Sequence, residues 1–109
     1  MVMAKKPPYS LVYADAVVDH LEAIEAKNHT AIFAAIESQL LYEPDVQTRN
    51  RKPLERPVEF GATWELRCGP QNRFRVFYAI EPNDQTVRIV AIGVKDRSRL
   101  FLGGAEFKQ

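Results

Sequence analysis

The sequence predicts an α+β domain in which an N-terminal strand and a two-helix hairpin pack on an antiparallel sheet, in the order β-α-α-β-β-β with a short C-terminal helix. Apolar residues recur at helical spacing only before Pro44, whereas three runs between residues 62 and 94 alternate with period two. Turn-prone segments, GPQN and EPNDQT, separate those runs. Helices gathered ahead of an antiparallel meander make a two-layer α+β arrangement, with the first strand added beside the meander.

Each element has its own signature. After Pro7 and Pro8, the run YSLVY suits a short strand. From Asp15, placed to cap a helix, Val17, Val18, Leu21 and Ile24 share one stripe. Asn28 and His29 interrupt it, Thr30 is a second N-cap candidate, and Ile32, Ala35, Ile36, Gln39 and Leu40 carry the second helix to Pro44. The segment PDVQTRNRKPLERP has almost no apolar content and reads as an exposed basic loop bearing Arg49, Arg51, Lys52 and Arg56. Strands follow at about 62–69, 73–81 and 86–94. Asp96 is placed to cap a last short helix over 97–102, which Gly103 and Gly104 end.

A chain of 109 residues, 46% hydrophobic and 27% charged, is a single domain, 1–109, with one modest core. Its one cysteine, Cys68, excludes an internal disulfide and a cysteine-built zinc site, and beside Leu66 it reads as a small core residue. The opening MVMAKKPPYS lacks the apolar stretch of a secretory leader and no run reaches the length of a membrane span, so a cytoplasmic protein with no membrane partner is expected. The formal charge of +1 hides an asymmetry. Residues 1–48 carry three Lys/Arg against seven Asp/Glu, and residues 49–109 carry twelve against seven. That split fits either a basic working face for phosphate-rich or acidic partners, or a solvated surface whose signs happen to segregate.

Alternation sorts the strand residues onto two faces. In FRVFYAI, Phe74, Val76, Tyr78 and Ile80 point one way and Arg75, Phe77 and Ala79 the other; in WELRC, Trp64, Leu66 and Cys68 oppose Glu65 and Arg67. One face is thus expected to be dry and the other to carry cations. Read without any relative, Arg67 and Arg75 are ordinary cross-strand partners of Glu65, Glu81 or Glu59. Trp64, Phe74 and Tyr78 read as core, and Phe101 is balanced between packing and stacking on a base. His20 and His29 read as surface or capping residues, with no second ligand at metal-binding spacing.

The succession of a basic loop, NRKPLERP, a strand WELRCG, a strand FRVFYAI and a strand RIVAIGVKDRSRLF resembles the RelE/ParE superfamily of toxins from bacterial type II toxin–antitoxin systems. The resemblance runs from YSLVY to Phe101 in the same element order. It implies a cytoplasmic toxin neutralised by a cognate antitoxin. The RelE branch cuts messenger RNA on the ribosome without a metal or other cofactor; the ParE branch instead inhibits DNA gyrase by binding it. Matched position by position, the resemblance implies Lys52, Arg67 and Lys95 as catalytic candidates. Arg49, Arg51, Arg56, Arg75, Arg97 and Phe101 become candidates for RNA or phosphate binding. Phe101 stands where the nucleases carry a tyrosine, and it has no hydroxyl with which to relay a proton.

The chemistry sets what the residues must supply. Attack of a 2′-hydroxyl on the adjacent phosphate needs removal of the hydroxyl proton, stabilisation of phosphorane charge and protonation of the leaving 5′-oxygen. Arginines serve the second task through bidentate donation but are poor proton shuttles. Lys52 or Lys95 would have to move protons, with Glu65 and Tyr78 as further candidates. Beside the nuclease stand two alternatives: a gyrase inhibitor that does no hydrolysis, and a toxin fold that retains only antitoxin binding.

Overall fold

The computed structural model describes residues 7–56, 58 and 60–108. Two helices, α1 (Ala16–Glu22) and α2 (His29–Leu40), follow a first strand, β1 (Ser10–Tyr13). Six more strands come after them: β2 (Arg51–Pro53), β3 (Trp64–Cys68), β4 (Phe74–Glu81), β5 (Thr86–Asp96), β6 (Arg99–Leu102) and β7 (Ala105–Phe107). They form one seven-stranded sheet in the order β2-β3-β4-β5-β6-β7, antiparallel throughout, while β1 pairs in parallel with β5. The α+β architecture expected from periodicity is present, with three differences of detail.

The basic loop is not wholly a loop. Arg51, Lys52 and Pro53 pair antiparallel with Leu66, Glu65 and Trp64, so the cationic segment becomes the edge strand of the sheet. Proline is tolerated there because its missing N–H faces no further strand. The C-terminal helix is absent: 99–107 is a β-hairpin closed by Gly103 and Gly104, whose φ values of +62° and +82° suit a two-residue turn of mirror-image type. A Gly-Gly pair between short alternating runs is a hairpin signal, and alternation wins here because Leu100 and Leu102 have an apolar surface to cover. The helix caps also differ, since Asp15 makes no side-chain cap bond and Asn28, not Thr30, precedes α2.

The strand β5 organises the molecule. Its 11 residues are flanked on one side by β4 and on the other by two short strands end to end, β1 along Thr86–Ile89 and β6 along Gly93–Asp96. Between them a short stretch of β5 edge has no strand beside it, and there the Ile92 N–H donates to His20 Nδ1 of α1 (3.2 Å). A helical imidazole thus satisfies a backbone donor that the sheet leaves unpaired. Opposite the same stretch, the register shifts between Phe77 and Tyr78, so that Val90 is an extra residue and both Val90 and Ala91 join the apolar cluster on the far face. Gly93 is needed for close approach: a Cβ there would lie 2.7 Å from Leu102 and 2.9 Å from the Phe101 carbonyl.

The helices cover one sheet face. Ile32, Ile36 and Leu40 of α2 and Val17 and Ile24 at α1 pack on Leu66, Phe74, Val76, Tyr78, Ile89 and Ile92 in the principal core. Val18 of the expected stripe points outward, at 60% exposure, so α1 buries a narrower face than its sequence pattern. His29 fastens the helical hairpin, its Nε2–H lying 2.8 Å from the Leu21 carbonyl and 2.9 Å from that of Ile24 at the end of α1. The other sheet face is neither dry nor wholly charged. A second, smaller cluster of Val58, Ala62, Phe77 and Ala91, bordered by Leu54, Phe60, Leu100 and Leu102, occupies part of it.

Candidate cationic site on the open sheet face

Register brings the principal candidates together. Arg67 of β3 lies directly opposite Arg75 of β4, and Lys52 of β2 directly opposite Glu65. Opposed residues share a face, so Lys52, Glu65, Arg67 and Arg75 form one array on the side away from the helices. Two arginines placed opposite each other repel unless an anion stands between them. Glu65 supplies it: its Oε1 accepts from Arg67 Nε at 3.0 Å and from Arg75 Nη1 at 3.5 Å. The cross-strand pairing readable from alternation alone is therefore present for Glu65. Glu81 pairs instead with Arg88 (2.7 Å), and Glu59 lies outside the described residues.

The arginines are held at different strengths. Arg75 also donates from Nε to the Asn72 carbonyl (3.0 Å), which ties its stem to the β3–β4 turn. Arg67 uses Nε on Glu65 and keeps a third of its side chain exposed, and its two terminal nitrogens have no described hydrogen bond. Guanidinium nitrogens in that state form a ready fork for two oxygens of a phosphate.

Two concavities border the array. One, of about 730 Å³, has an apolar floor of Val58, Phe77, Leu100 and Phe107 and a charged rim that includes Glu65, Arg56 and Lys95. The other, of about 740 Å³, opens at the sheet end between α1, the β3–β4 turn and the two C-terminal turns. It gathers Arg73, Arg75, Lys95 and Arg97 with His20 and Phe101, against one acid, Asp96. Volumes of this order suit a small ligand or a single nucleotide. Gln71, Asn72 and Arg97 on its rim have φ values of 58°, 53° and 58°, a left-handed conformation that non-glycine residues adopt at a cost. Lys95 and Arg75 are where the array meets this cavity.

Four sequence expectations are corrected by the geometry. Arg51 is not an exposed cation: it is 8% exposed, and its Nη1 donates to the Gln39 carbonyl at the end of α2. Pairing with Leu66 turns it to the core face, and its buried Nε has no partner among the described residues. Tyr78 is no proton shuttle, because it is fully buried, its hydroxyl donates to the Pro44 carbonyl (2.7 Å), and burial pushes its acidity well away from neutrality. Phe101 pairs with Val94, opposite in sense to Lys95 and Leu100, and so lies on the helix side with Arg99 5.5 Å from its ring centre. It meets Arg75, Lys95 and Arg97 at the end cavity but is separated by the sheet from Lys52 and Arg67. His20, read from the sequence as a surface or capping residue, lines that same cavity.

His20 has a defined chemistry. With Nδ1 accepting from Ile92, the neutral ring carries its proton on Nε2. Burial lowers its pKa below the ordinary 6.5, against an opposing pull from Asp19. It is a neutral donor rather than a base. The sequence held no signal for this, since the contact joins residues 72 positions apart through a gap in the sheet. Arg49 and Arg56 remain exposed on the segments flanking β2, and Arg56 stands on the rim of the first concavity. Among the described residues no group of three or more His, Cys, Asp or Glu side chains could hold a metal ion, and no helix is long and apolar enough to cross a membrane.

No family model matches the sequence, and no curated protein matches it. Among solved structures, the chain resembles one in the RelBE2 toxin–antitoxin complex from Mycobacterium tuberculosis, with a TM-score of 0.56 and 24% identity over 84% of this chain and 95% of that one. The fold is therefore RelE-like, in agreement with the order of helices and strands read from the sequence.

Proposed function

We propose that this protein is the toxin of a type II toxin–antitoxin pair and that it acts in the cytoplasm as a ribosome-dependent, metal-independent messenger RNA endonuclease. The observation that carries the reading is the opposed Arg67–Arg75 pair on the open face of a RelE-like sheet, flanked by Lys52 and Lys95. Such an array suits the charge that develops on phosphorus when a 2′-oxygen attacks it, and preorganised donors of this kind are commonly the largest single contribution to catalysis. Arg56 and Arg97 stand around the array, and Arg49 near its β2 edge, where they would meet RNA phosphates, giving a salt-sensitive docking component. Arg51, being buried, is left out of that role.

The partner follows from the same face. The similar solved structure is a toxin–antitoxin complex. An antitoxin segment carrying Asp or Glu would neutralise Arg67 and Arg75, and an extended stretch of it would add to an exposed strand edge. A second reading, binding and inhibition of DNA gyrase, draws support from Phe101, which offers no hydroxyl and lies across the sheet from Arg67. Expression in cells with parallel readouts decides between them. Arrest of protein synthesis with cuts placed within codons of ribosome-bound mRNA is expected. Intact mRNA with altered DNA supercoiling would replace the nuclease by the gyrase reading.

A further inference from the structure

The cleavage chemistry requires a proton acceptor, and lysines and arginines are protonated donors at neutral pH. The structure supplies one acid at the centre of the cationic array. Glu65 is fixed by Arg67 Nε (3.0 Å) and Arg75 Nη1 (3.5 Å), faces Lys52 across the β2–β3 pair and shares a concavity with Lys95. Its side chain is 15% exposed, so the carboxylate is held in one place yet reachable. The other acids of that concavity are placed differently. Glu106 is bound by Arg99 through two contacts, at 3.2 and 2.7 Å, and Glu55 is exposed on the outer segment. His20 has its lone pair committed to Ile92 N–H, and the Tyr78 hydroxyl is buried against Pro44.

We propose that Glu65 is the general base of the cleavage step, an inference that rests on the nuclease reading above. A carboxylate only neutralising two arginines would be displaced by the substrate phosphate. Here Arg67 keeps both terminal nitrogens for phosphate oxygens while its Nε continues to hold Glu65, so base and phosphate are bound together by one guanidinium. In the step, a Glu65 carboxylate oxygen takes the 2′-hydroxyl proton as the 2′-oxygen bonds to phosphorus. The bond from phosphorus to the 5′-oxygen then breaks, its electron pair stays on that oxygen, and the oxygen takes a proton from the Lys95 ammonium or from water. The products are a 2′,3′-cyclic phosphate and a 5′-hydroxyl end. The anion also sets a condition on the substrate: with a carboxylate at its centre the array favours a strand presenting a 2′-hydroxyl donor, and thus RNA over DNA.

The test is single-turnover cleavage of mRNA on programmed ribosomes by wild type, Glu65→Gln and Glu65→Asp, with folding checked by melting and ribosome binding measured by co-sedimentation. Loss of general base catalysis typically costs about 10²-fold or more. Glu65→Gln, which can still accept from both arginines, should lose at least that while binding ribosomes as well as wild type or better, and Glu65→Asp should fall between. A Glu65→Gln variant that cuts as fast as wild type, or faster, would overturn the assignment and leave Glu65 as a mere counter-ion. Failure of the wild type to cut at all sinks the nuclease reading and this base with it, an outcome recognisable before any variant is compared.

Discussion

The two faces of one sheet solve opposite problems with residues that alternate along the same strands. On β4, Phe74, Val76 and Tyr78 are sealed beneath the helices, while Arg75 between the first two reaches the other side to contact Glu65. The helix face is a packed interior in which the Tyr78 hydroxyl donates to the Pro44 carbonyl and Arg51 Nη1 to that of Gln39, the buried Arg51 Nε being left without a partner among the described residues. The open face concentrates like charges about the Glu65 carboxylate, which is half-sheltered with Arg75 and reached from the more open side by Arg67. If the open face is the working face proposed above, stability and function should separate by a one-residue step along a strand.

The largest expected effect is on the sealed face. Phe74 is 1% exposed and packs in the principal core, so Phe74→Ala should destabilise by about 3–5 kcal/mol, measured by denaturant or thermal unfolding. Cys68, paired with Phe74 across β3 and β4, reports the same packing. Burial pushes its thiol up to about 11, so it should resist alkylation in the native state and react freely in that variant.

Next in size comes the open face, where the sign of the comparison reverses. Arg67→Ala removes a side chain that is one-third exposed, together with its ion pair to Glu65, which should move stability by no more than about 1 kcal/mol. On the proposed nuclease reading, cleavage should fall by about 10²-fold or more, because Arg67 would be a preorganised donor to the phosphorane. Rates on programmed ribosomes and a melting curve on the same preparation check both halves. A protein that unfolds on losing Arg67 while tolerating Phe74→Ala would invert the assignment of the faces.

Arg51 sharpens the contrast because its neighbour Lys52 is of the same charge class and points the other way. Arg51→Ala deprives the Gln39 carbonyl of its donor and should cost about 1–3 kcal/mol, with unchanged activity per folded molecule. Lys52→Ala should do the reverse. Denaturant midpoints together with rates normalised to folded protein distinguish the two.

The sequence made the strand faces legible because alternation is a local property: Phe74, Val76, Arg67 and Arg75 lie where the period places them. Helical spacing similarly located Ile32, Ile36 and Leu40. What local pattern did not reveal was pairing. Arg51 looks like any cation in a basic loop until β2 is set against β3, which turns it inward. The last segment offered both an Asp cap and a Gly-Gly turn, and tertiary cover for Leu100 and Leu102 decided for the hairpin. The direction of Phe101 was illegible for the same reason, since it depends on the register with Val94.

The smallest expected effect concerns His20, which joins α1 to the sheet at the gap along β5. Its pKa is lowered in the folded protein, chiefly by burial, so the unfolded chain binds the proton more readily than the folded one. Stability associated with the neutral ring is therefore complete above the unfolded value of about 6.5 and is lost as pH falls from there through the lowered folded value. Protonation would also set an Nδ1–H against the Ile92 N–H, removing the bond that closes the β5 edge. Replacement by Asn or Gln gives a side chain that cannot titrate, so the unfolding free energy of His20→Gln should fall less steeply than that of wild type on acidification below about pH 6.5. Denaturant unfolding of both proteins across that range measures the slopes. Equal slopes would show that His20 keeps the same proton affinity folded and unfolded, and that its link to Ile92 does not discriminate between the charged and neutral ring.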